Sequence, residues 1–587
     1  MKLSDYVASF AEKKGIKEAF VLTGGCIVHI IDSIAKKKNI KYIPVQHEQS
    51  GAMAADCYAR ISSSYGLVLA TSGPGATNLL TGICCSYYDS IPVVAITGQV
   101  PTSQLKKESK SRQIGFQETD VVSIFKSVTK YAKLVDNPKN IRYELEKAFY
   151  LAKEGRPGPV LLDICDDVQR ADIDPSKLKS FIPPKKTRKK FSQILTLRKL
   201  IESASRPIFI FGAGVRLSDS VDLARKVKEK FGIPFTLTWG AMDIFDHNDP
   251  LYTGSFGVTS GRSGNFSVQN SDLIISVGTR LDTHEVGSKI TTFGREAKKI
   301  VVDIDLAEQI KYKKMGMKVD LLVNDDLRGF LKVLLAEKFF INPLASSSWV
   351  KQIKSWKKLY PPYSKDDENQ KQNVNPYYFM RILSKKSSPG QCIIADCGSN
   401  LIWTMQGFRI KKNQRVISAW NHSPMGYALP ASVGAAFANT RKIICITGDG
   451  GMQINIQELA TIQKHNLNIA IFIVNNHCHG IIQGTQQSWL KGAYHASDPV
   501  TGKLPDPDFS KIANAYGIKS IDIRNHNNLD MHIRDILNAK GPILCNIHMN
   551  RKSQIYPKLL YGKPIEDSDP LLDREEFYKQ MIVRPIS

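Results

Sequence analysis

The chain has 587 residues, 42% of them hydrophobic and 23% charged, which is enough for about three or four globular domains, each with its own core. No apolar run approaches the roughly 18 residues of a membrane span, and the first residues lack the apolar core and cleavage site of a signal peptide. The ten cysteines include no CxxC pair, which favours reduced thiols and predicts a cytoplasmic protein without membrane insertion.

The formal net charge of +25 would suit a nucleic-acid-binding protein, because clustered Lys and Arg displace counterions from phosphates. The densest basic run, PPKKTRKK at 183–190, argues against that interpretation. It lies beside Pro-rich sequence, and no aromatic residues are interleaved for base stacking. We therefore predict a solvated linker at this run and no nucleic-acid partner.

Strand-like runs alternate with helical stretches along the chain. The first block, 1–170, contains AFVLTGGC, KYIPVQHE, YGLVLATSGPG, IPVVAITGQ and RPGPVLLDI, and the second, 193–340, contains RPIFIFGAG, DLIISVGTR and KKIVVDID. A third block covers 377–550, and a tail covers 551–587. Runs rich in Val, Ile and Leu without alternation are typical of parallel strands covered on both faces. The sequence predicts an α/β protein with three doubly wound parallel-sheet domains.

The third block contains ICITGDGGMQINIQELATIQKHNLNIAIFIVNN at 444–476, in which two apolar strands flank a helical segment. Ligands gather at the carboxyl ends of parallel strands, where Asp449 follows the first strand and Asn476 follows the second. A carboxylate, an amide oxygen and the carbonyl of Cys478 just beyond are hard ligands suited to Mg²⁺. Alone, the Gly-Asp-Gly sequence would be an ordinary turn and the Asn-Asn pair an ordinary strand end. Their combination at this spacing predicts a magnesium site.

The segment between these strands predicts one amphipathic helix, because Met452, Ile456 and Leu459 recur at i, i+4 and i+7. Gly450 and Gly451 at the start of that helix would let a diphosphate approach main-chain N–H groups. We therefore predict that the metal site also binds a diphosphate.

Together with further motifs in the same order, this unit resembles the thiamine diphosphate enzymes, in particular the acetolactate synthase (acetohydroxyacid synthase) large-subunit type. The further motifs are VQHEQSGAMAADCYAR, TSGPGATNLLTGI, DSIPVVAITGQVPTS, FQETDVV, GRPGPVLLDI and MGYALPASVGAA. The resemblance implies that 1–170 binds the pyrimidine of the cofactor, that 193–340 is a central Rossmann-like domain, and that 377–550 binds the diphosphate and Mg²⁺.

Glu48 follows an apolar strand and precedes an Ala-rich helix, which places its carboxylate at an apolar interface. The resemblance implies that Glu48 bonds N1′ of the aminopyrimidine and shares a proton with the cofactor. An acid that only favours a helix dipole would look the same in sequence.

Further cofactor contacts follow from the resemblance alone. Met425 would hold the cofactor bent, although a core methionine would look the same, and the main chain at Ser423 would accept the 4′-amino group. The residues implied for thiamine diphosphate are Pro74, Asn78, Cys397, Ser399, Asn400, Ser423, Met425, Gly448, Gly450, Gly451, Met452, Gly480 and Ile481.

On the substrate side, Gly24 and Gly25 could present N–H groups to a developing oxyanion, although a Gly-Gly pair is more often a turn. Phe116 and Gln117 match pocket residues of the resembled family. With Glu48, the residues Gly25, Phe116 and Gln117 make up the predicted catalytic set.

The central block contains FGAGVRLSD, which places Gly212 and Gly214 after a strand but lacks the third glycine of a dinucleotide fingerprint, so an NAD site is disfavoured. The resemblance implies that this domain holds FAD without a redox step. The residues implied for FAD are Gly212, Gly214, Gly257, Gly278, Arg280 and Asp303.

The sequence departs from the resembled synthases where they select the acceptor. Thr485 stands in place of a Trp, and His284 stands in place of an Arg that would pair with the carboxylate of a keto-acid acceptor. The tail, IYPKLLYGKPIEDSDPLLDREEF, resembles that of relatives that transfer a two-carbon unit from pyruvate to a nucleotide-linked keto sugar.

The resulting hypothesis is a carboligase that decarboxylates pyruvate and transfers the two-carbon unit to a second pyruvate or to a nucleotide-linked keto sugar. A simple 2-keto acid decarboxylase or oxidase on the same scaffold is the alternative. A non-catalytic scaffold or nucleic-acid binder is a third, which the presence of Glu48, Asp449 and Asn476 argues against. The resemblance also implies a homodimer or homotetramer, because the site of the family lies between two subunits. The sequence leaves open the acceptor, the binding of FAD, any regulatory subunit and the pathway.

Overall fold

The computed structural model describes residues 1–107, 109–185, 191–362, 366–370, 372–439 and 441–586. Of the basic run predicted as a linker, 183–185 have no regular secondary structure, and 186–190 lie outside the described residues. No helix in the described ranges has the length and hydropathy needed to cross a membrane.

The amino-terminal block is built on a parallel sheet. Its strands are β1 (Glu18–Val21), β2 (Lys41–Pro44), β3 (Gly66–Ala70), β4 (Val93–Gln99), β5 (Tyr131–Val135) and β6 (Val160–Cys165). Its helices are α1 (Leu3–Lys13), α2 (Val28–Ala35), α3 (Glu48–Ser62), α4 (Pro74–Asn78), α5 (Leu80–Asp89), α6 (Val121–Phe125), α7 (Ile141–Lys153) and α8 (Asp166–Arg170). The strand order is β2-β1-β3-β4-β6-β5. Because β3, β4 and β6 are buried along their whole length, helices cover both faces.

The central block has a second parallel sheet. Its strands are β7 (Pro207–Phe211), β8 (Phe235–Leu237), β9 (Leu273–Val277), β10 (Lys298–Asp303) and β11 (Leu321–Asn324). Its helices are α9 (Ile194–Glu202), α10 (Gly214–Leu217), α11 (Val221–Phe231), α12 (Arg262–Gln269), α13 (Thr283–Val286), α14 (Leu306–Lys314) and α15 (Leu327–Ala336), followed by α16 (Pro343–Leu359). The strand order is β11-β10-β9-β7-β8.

The third block has a third parallel sheet. Its strands are β12 (Cys392–Ala395), β13 (Arg415–Ile417), β14 (Ile443–Gly448), β15 (Ile469–Asn475), β16 (Lys519–Ile523) and β17 (Ile543–His548). Its helices are α17 (Pro376–Lys386), α18 (Ser399–Gly407), α19 (Ala428–Ala438), α20 (Asp449–Ile454), α21 (Glu458–Lys464), α22 (Gly480–Leu490), α23 (Phe509–Ala515) and α24 (Leu529–Asn538). The order β13-β12-β14-β15-β17-β16 places β14 and β15 side by side at the centre. The three parallel sheets confirm the predicted fold class, while the domain limits drawn from the sequence stay predictions.

The tail packs on the central block. It forms an antiparallel pair, β18 (Lys558–Leu559) with β19 (Ser568–Asp569), and a last helix, α25 (Arg574–Gln580). Asn265 donates to the carbonyl of Ile565 at 2.8 Å, and Arg295 pairs with the buried carboxylate of Glu566 at 2.7 Å. The tail therefore forms part of the folded body.

The amino-terminal and third blocks share a hydrophobic core in which α3 lies against α19. A Cβ placed on Gly434 would lie 2.0 Å from the carbonyl oxygen of Ala54, so only glycine allows the two helices to approach this closely. Tyr427, at the start of α19, donates to Asp56 of α3 at 2.5 Å. This contact fixes how the two outer domains of one chain meet.

The prediction of a single helix between β14 and β15 is wrong. The segment contains two short helices, α20 and α21, separated by a turn at 455–457. Met452 and Leu459 are both fully buried, so the apolar spacing persists across the break. Asn455 accounts for the interruption, because its side chain donates to the carbonyl of Gly426 at 2.7 Å and accepts from Ser50 at 3.1 Å.

Candidate active site

Three oxygen atoms converge at the carboxyl ends of β14 and β15. Asp449 begins α20 directly after β14, and Asn476 follows β15. The side-chain oxygen of Asn476 lies 3.2 Å from Asp449 Oδ1 and 2.8 Å from the carbonyl oxygen of Cys478. Adjacent ligands of an octahedral Mg²⁺ ion are about 3 Å apart, because each lies about 2.1 Å from the ion. A rotated Asn476 amide would instead donate to both oxygens, so the same atoms also have a hydrogen-bonded arrangement without a cation.

This set of candidate ligands contains one ionisable side chain, that of Asp449. In the described part of the chain, no cluster of three or more His, Cys, Asp or Glu could hold a metal. Asp449 is 8% exposed, and burial raises the pKa of its carboxyl to about 7, while neighbouring main-chain N–H groups act in the opposite direction. A divalent cation would favour the ionised form of this carboxylate.

A network of two histidines braces the loop that carries Asn476 and Cys478. His477 Nδ1 lies 2.9 Å from the Asp506 carboxylate, and His477 Nε2 lies 3.3 Å from His548 Nδ1. His548 Nε2 lies 2.6 Å from Asp522 Oδ1. The main chain of His477 has a left-handed φ of 56°, so these side-chain contacts hold an unfavourable backbone conformation in place. The sequence analysis missed this network because Asp506, Asp522 and His548 are distant in sequence.

Glycines surround the space above Asp449. A Cβ placed on Gly450 would lie 2.7 Å from His479 Nε2 and 2.8 Å from Met425 Cε. A Cβ on Gly480, the first residue of α22, would lie 2.7 Å from Asn476 Nδ2 and 3.0 Å from Ser399 Oγ. Only glycine at these two positions allows the neighbouring side chains to lie this close to the main chain beside the three oxygens.

The turn 397–400 borders the same space. Asn400 donates to the carbonyl of Cys397 at 2.7 Å, and its Oδ1 atom is buried with no partner among the described residues. A Cβ on Gly448 would lie 3.4 Å from Asn400 Nδ2. The structure thus brings together most of the residues predicted to hold the diphosphate. Met452 is fully buried behind them, and Ile481 is 37% exposed.

Asp396 is a further residue of this site that the sequence analysis missed. Its carboxylate accepts from the main-chain N–H of Cys397 at 2.9 Å, Gly426 at 2.9 Å and Ala428 at 3.1 Å. It therefore ties the turn 397–400 to the segment that carries Ser423 and Met425. Burial raises the pKa of Asp396 to about 6, and the hydrogen bonds oppose that shift. The sequence signal for Asp396 is its position directly after the apolar run CIIA, at the carboxyl end of a strand.

The amino-terminal domain contributes a separate group of residues around Glu48, the first residue of α3. Glu48 is 6% exposed, and its Oε2 atom accepts from Asn78 Nδ2 at 3.0 Å. A Cβ on Gly75, next to Pro74, would lie 3.3 Å from Glu48 Oε1. The carboxylate thus faces the turn that leads from β3 into α4.

The predicted substrate residues adjoin that turn. A Cβ on Gly73 would lie 2.9 Å from the carbonyl oxygen of Gln117, and Gln117 has a left-handed φ of 63°. Phe116 is 84% exposed. Gly25 is exposed, and a Cβ on it would meet nothing within 4 Å.

Within one chain, the residues around Glu48 do not meet the residues around Asp449. Near the first turn of α3, the contacts with the third block are from the N–H of Gln46 to Glu458 Oε1 at 2.9 Å and from Ser50 to Asn455. The Glu48 side chain makes no hydrogen bond with a described residue of the third block, and Asn78 is its partner. The residues predicted for the two ends of the cofactor therefore form two half-sites.

In the central block, Gly212 and Gly214 pack directly on Gly278. A Cβ on Gly212 would lie 2.2 Å from the Gly278 carbonyl oxygen, and Gly278 has a φ of 65°. Burial raises the pKa of Asp303, at the end of β10, to about 6. Arg280 donates to Asn421 Oδ1 at 2.8 Å and so reaches the third block.

Of the remaining predicted positions, Gly257 is buried, whereas His284 and Thr485 are exposed. Gly257, with a φ of 118°, donates its N–H to Asn265 at 2.8 Å. Thr485 is exposed on α22. The His284 ring lies 4.3 Å from the Trp239 ring, and its Nε2 atom lies 3.3 Å from Thr259 Oγ1.

Comparison with known proteins shows which families the chain is similar to. Three models of the thiamine pyrophosphate enzymes match the chain: the N-terminal TPP binding domain at 1–124, the central domain at 194–334, and the C-terminal TPP binding domain at 396–547. The acetolactate synthase large subunit of Cyanidium caldarium is 34% identical over 568 residues, covering 94% of each chain. The acetolactate synthase isozyme 1 large subunit of Escherichia coli (strain K12) is 30% identical, covering 95% of this chain and 96% of its own.

Proposed function

This chain belongs to the thiamine pyrophosphate enzyme family and is acetolactate synthase-like, and we propose that it decarboxylates pyruvate and transfers the two-carbon unit to a carbonyl acceptor. The observation that carries the proposal is the convergence of Asp449, Asn476 and the carbonyl of Cys478 at the glycine-rich start of α20, where a diphosphate could bind. The buried pair of Glu48 and Asn78 in the amino-terminal domain supports it.

Mg²⁺ fits the three converging oxygens. One carboxylate, one amide oxygen and one main-chain carbonyl are hard ligands, and their spacing matches an octahedral edge of about 3 Å. Phosphate oxygens and water would complete the coordination. The role of Asp449, Asn476 and Cys478 would be to hold the metal against the diphosphate at the start of α20.

When bound, thiamine diphosphate supplies the nucleophilic carbon and the electron sink that decarboxylation of a 2-keto acid requires. Glu48 would hold or release a proton at N1′ of the aminopyrimidine. Asn78 fixes Oε2 of that carboxylate, and Oε1 accepts no hydrogen bond from a described residue and could face the cofactor. Ser423 would accept from the 4′-amino group through its carbonyl, and Met425 would support the bent cofactor.

The substrate would lie at the turn between β3 and α4. Gly25 is exposed, and its N–H could stabilise a developing oxyanion, because a main-chain donor needs no reorganisation during the reaction. Gln117 and Phe116 border the same turn and would close around the keto acid. Water exclusion at this place would favour transfer of the two-carbon unit over release of free aldehyde.

We also propose that the central domain holds FAD without a redox step. Gly212 and Gly214 follow the carboxyl end of β7, the edge of the sheet at which a dinucleotide could bind. Gly257, Arg280 and Asp303 are the further candidate contacts. Release of a flavin absorbance spectrum on denaturing the purified protein tests this assignment, and a colourless protein after reconstitution with FAD would contradict it.

A complete site requires the two half-sites to meet, and we propose a homodimer or homotetramer in which they come from different chains. The exposure of Phe116 at one half-site and of Met425 at the other supports this arrangement, because both apolar side chains would be covered in the assembly. Sedimentation of the active protein tests it, and an active monomer would contradict it. All ten cysteines are free, which supports a reducing, cytoplasmic setting.

The acceptor would differ from that of an ordinary acetolactate synthase. Thr485 is small and exposed, and the imidazole of His284 cannot form the bidentate pair that a guanidinium makes with a carboxylate. We therefore propose a bulkier neutral carbonyl acceptor, such as a nucleotide-linked 4-keto sugar, in competition with a second pyruvate.

The experiment is a product analysis with isotopically labelled pyruvate. The protein is supplied with Mg²⁺, thiamine diphosphate and FAD, together with 2-ketobutyrate or a nucleotide-linked keto sugar, and the labelled two-carbon unit is followed by mass spectrometry. We expect label in the sugar and little acetohydroxybutyrate. Efficient acetohydroxybutyrate formation with no label in the sugar would refute the proposed acceptor, and the absence of any ligation product would refute the carboligase.

A further inference from the structure

The segment 418–427, here called the cofactor loop, connects β13 to α19 and carries both Ser423 and Met425. Ser423 has a φ of 51°, in the left-handed region that non-glycine residues rarely adopt, and Gly426 has a φ of 85°. Such a conformation at Ser423 persists only where the surroundings enforce it. What holds the two ends of the cofactor loop therefore decides where the Ser423 carbonyl lies.

Two buried carboxylates hold the cofactor loop, one at each end. Asp396 of the third block accepts from the N–H groups of Gly426 and Ala428 at the far end. Asp89 of the amino-terminal domain holds the near end. It accepts from the N–H of Trp420 at 2.9 Å, the N–H of Asn421 at 3.1 Å and Asn421 Nδ2 at 2.6 Å.

The position of Asp89 is electrostatically unfavourable for the helix on which it lies. Asp89 is the last residue of α5, where the partial negative charge of the helix terminus repels a carboxylate. Its side chain is 2% exposed, so solvent does not screen this repulsion. Arg60 compensates for part of it with an Nη2 bond of 2.8 Å to Oδ2. Helix stability therefore does not explain a carboxylate at this position, whereas the donors of the cofactor loop do.

All hydrogen-bonding capacity of Asp89 is used. A carboxylate can accept about four hydrogen bonds, and Asp89 accepts one from Arg60 and three from the cofactor loop. An amide in its place would point an NH₂ group, which is a donor, at main-chain N–H groups that are also donors and are fixed in direction. At least one of these hydrogen bonds would be lost. Two neighbouring contacts also hold the cofactor loop in place. The Tyr88 ring stacks on His422 at 5.6 Å, and Arg280 donates to Asn421.

We propose that Asp89 is a positioning residue for bound thiamine diphosphate. Through Trp420 and Asn421 it sets the main chain of the cofactor loop, and with it the carbonyl of Ser423 that would accept from the 4′-amino group. The amino-terminal domain thereby acts on the cofactor of the third block through a residue that touches neither cofactor nor substrate. The inference rests on the proposed function.

The test is Asp89→Asn in the full chain. We expect the dissociation constant for thiamine diphosphate, measured by calorimetry at saturating Mg²⁺, to rise by about tenfold to a hundredfold, the usual effect of removing a supporting hydrogen-bond partner. We also expect the near-UV circular dichroism of the bound aminopyrimidine to change, because the acceptor of its 4′-amino group would move. A role limited to stability would lower the melting temperature without changing this spectrum.

Glu144→Gln is the matched control. Glu144 is a buried carboxylate of the same domain, it accepts from the hydroxyl of Tyr131, and it makes no contact with the cofactor loop. It should lower the melting temperature and leave the dissociation constant and spectrum within about twofold of the parent. If Asp89→Asn does not fold, Asn421→Ala decides, since it removes one of the three loop bonds and should change both readouts in the same direction by less.

These measurements test the positioning role of Asp89 separately from the proposed function. Parent-like cofactor affinity and spectrum in folded Asp89→Asn, or in Asn421→Ala, would overturn the inference and leave the proposed function intact. Failure of the parent protein to bind thiamine diphosphate with Mg²⁺ would overturn the proposed function and this inference with it.

Discussion

Asp449→Asn is expected to change apo stability and cofactor binding in opposite directions. Each pKa unit corresponds to about 1.4 kcal/mol, so raising the pKa of Asp449 from 3.8 to about 7 means that its ionised form costs about 4 kcal/mol at pH 8. Because the folded pKa lies above the unfolded value, this cost grows as the pH rises from 4 to 7 and is complete above 7. Asparagine has nearly the same shape and no charge, so the apo variant should be more stable at pH 8 by up to about that amount.

The same change should weaken the metal site. Removing one partner of a buried charged contact typically costs about 2–5 kcal/mol, which is about 30-fold to 5,000-fold in a dissociation constant. Both Mg²⁺ and thiamine diphosphate should be affected, because the metal would join the diphosphate to the protein.

Two measurements check this prediction. Thermal unfolding of the apo protein at pH 5 and pH 8 should show the variant gaining stability over the parent mainly at the higher pH. Calorimetric titration with thiamine diphosphate and Mg²⁺ should show the loss of affinity. Asp508→Asn, at an exposed helix start in the same domain, is the matched control and should lose no affinity. Unchanged cofactor affinity in Asp449→Asn would refute the metal assignment, and no gain in apo stability at pH 8 would refute the buried-charge argument.

Four further predictions concern single side chains. Glu48→Gln should keep cofactor affinity within about tenfold but slow proton exchange at the thiazolium C2 by about two to four powers of ten, and parent-like exchange by NMR would exclude Glu48 as the activator. His548→Phe should weaken Mg²⁺ binding by about tenfold to a hundredfold in a metal titration, because His477 loses its brace; unchanged binding would contradict this. Burial raises the pKa of Asp163 to about 7, so ionising this carboxyl destabilises the folded parent as the pH rises. Between pH 5 and pH 8 the free energy of unfolding of Asp163→Asn should therefore fall by about 3 kcal/mol less than that of the parent. Denaturant unfolding that gives the same pH dependence for both proteins would disprove it. Thr485→Trp should raise the use of 2-ketobutyrate relative to larger acceptors by about tenfold in a competition assay, and an unchanged ratio would show that position 485 does not border the acceptor.

Much of the fold was predictable because its strands are buried on both faces. Runs such as VVAITG and VLLDIC lack alternation, and this pattern identifies central parallel strands. Two strands outside the quoted runs lack this signal. β8 has three residues, and β5 is an edge strand with a mostly half-buried pattern, so neither has a continuous apolar run.

The adjacency of Asp449 and Asn476 was also predictable, since neighbouring parallel strands end at the same edge. The break between α20 and α21 was not, because Met452 and Leu459 keep helical spacing on either side of a turn that Asn455 stabilises through distant partners. Asp396 and Asp89 were missed for a similar reason. Their roles depend on main-chain N–H groups about 30 and 330 positions away, and side-chain patterns carry no record of such contacts.

We propose above that the chain is a carboligase in which Glu48 activates Mg²⁺-bound thiamine diphosphate. The most direct measurement is the fate of isotopically labelled pyruvate in the parent protein and in Glu48→Gln, with carbon dioxide, free acetaldehyde and ligated products quantified in the same reaction. We expect that carbon dioxide release requires thiamine diphosphate and Mg²⁺, that most of the two-carbon unit enters a ligated product, and that Glu48→Gln suppresses both. Acetaldehyde as the main product, or turnover that persists in Glu48→Gln, would contradict it.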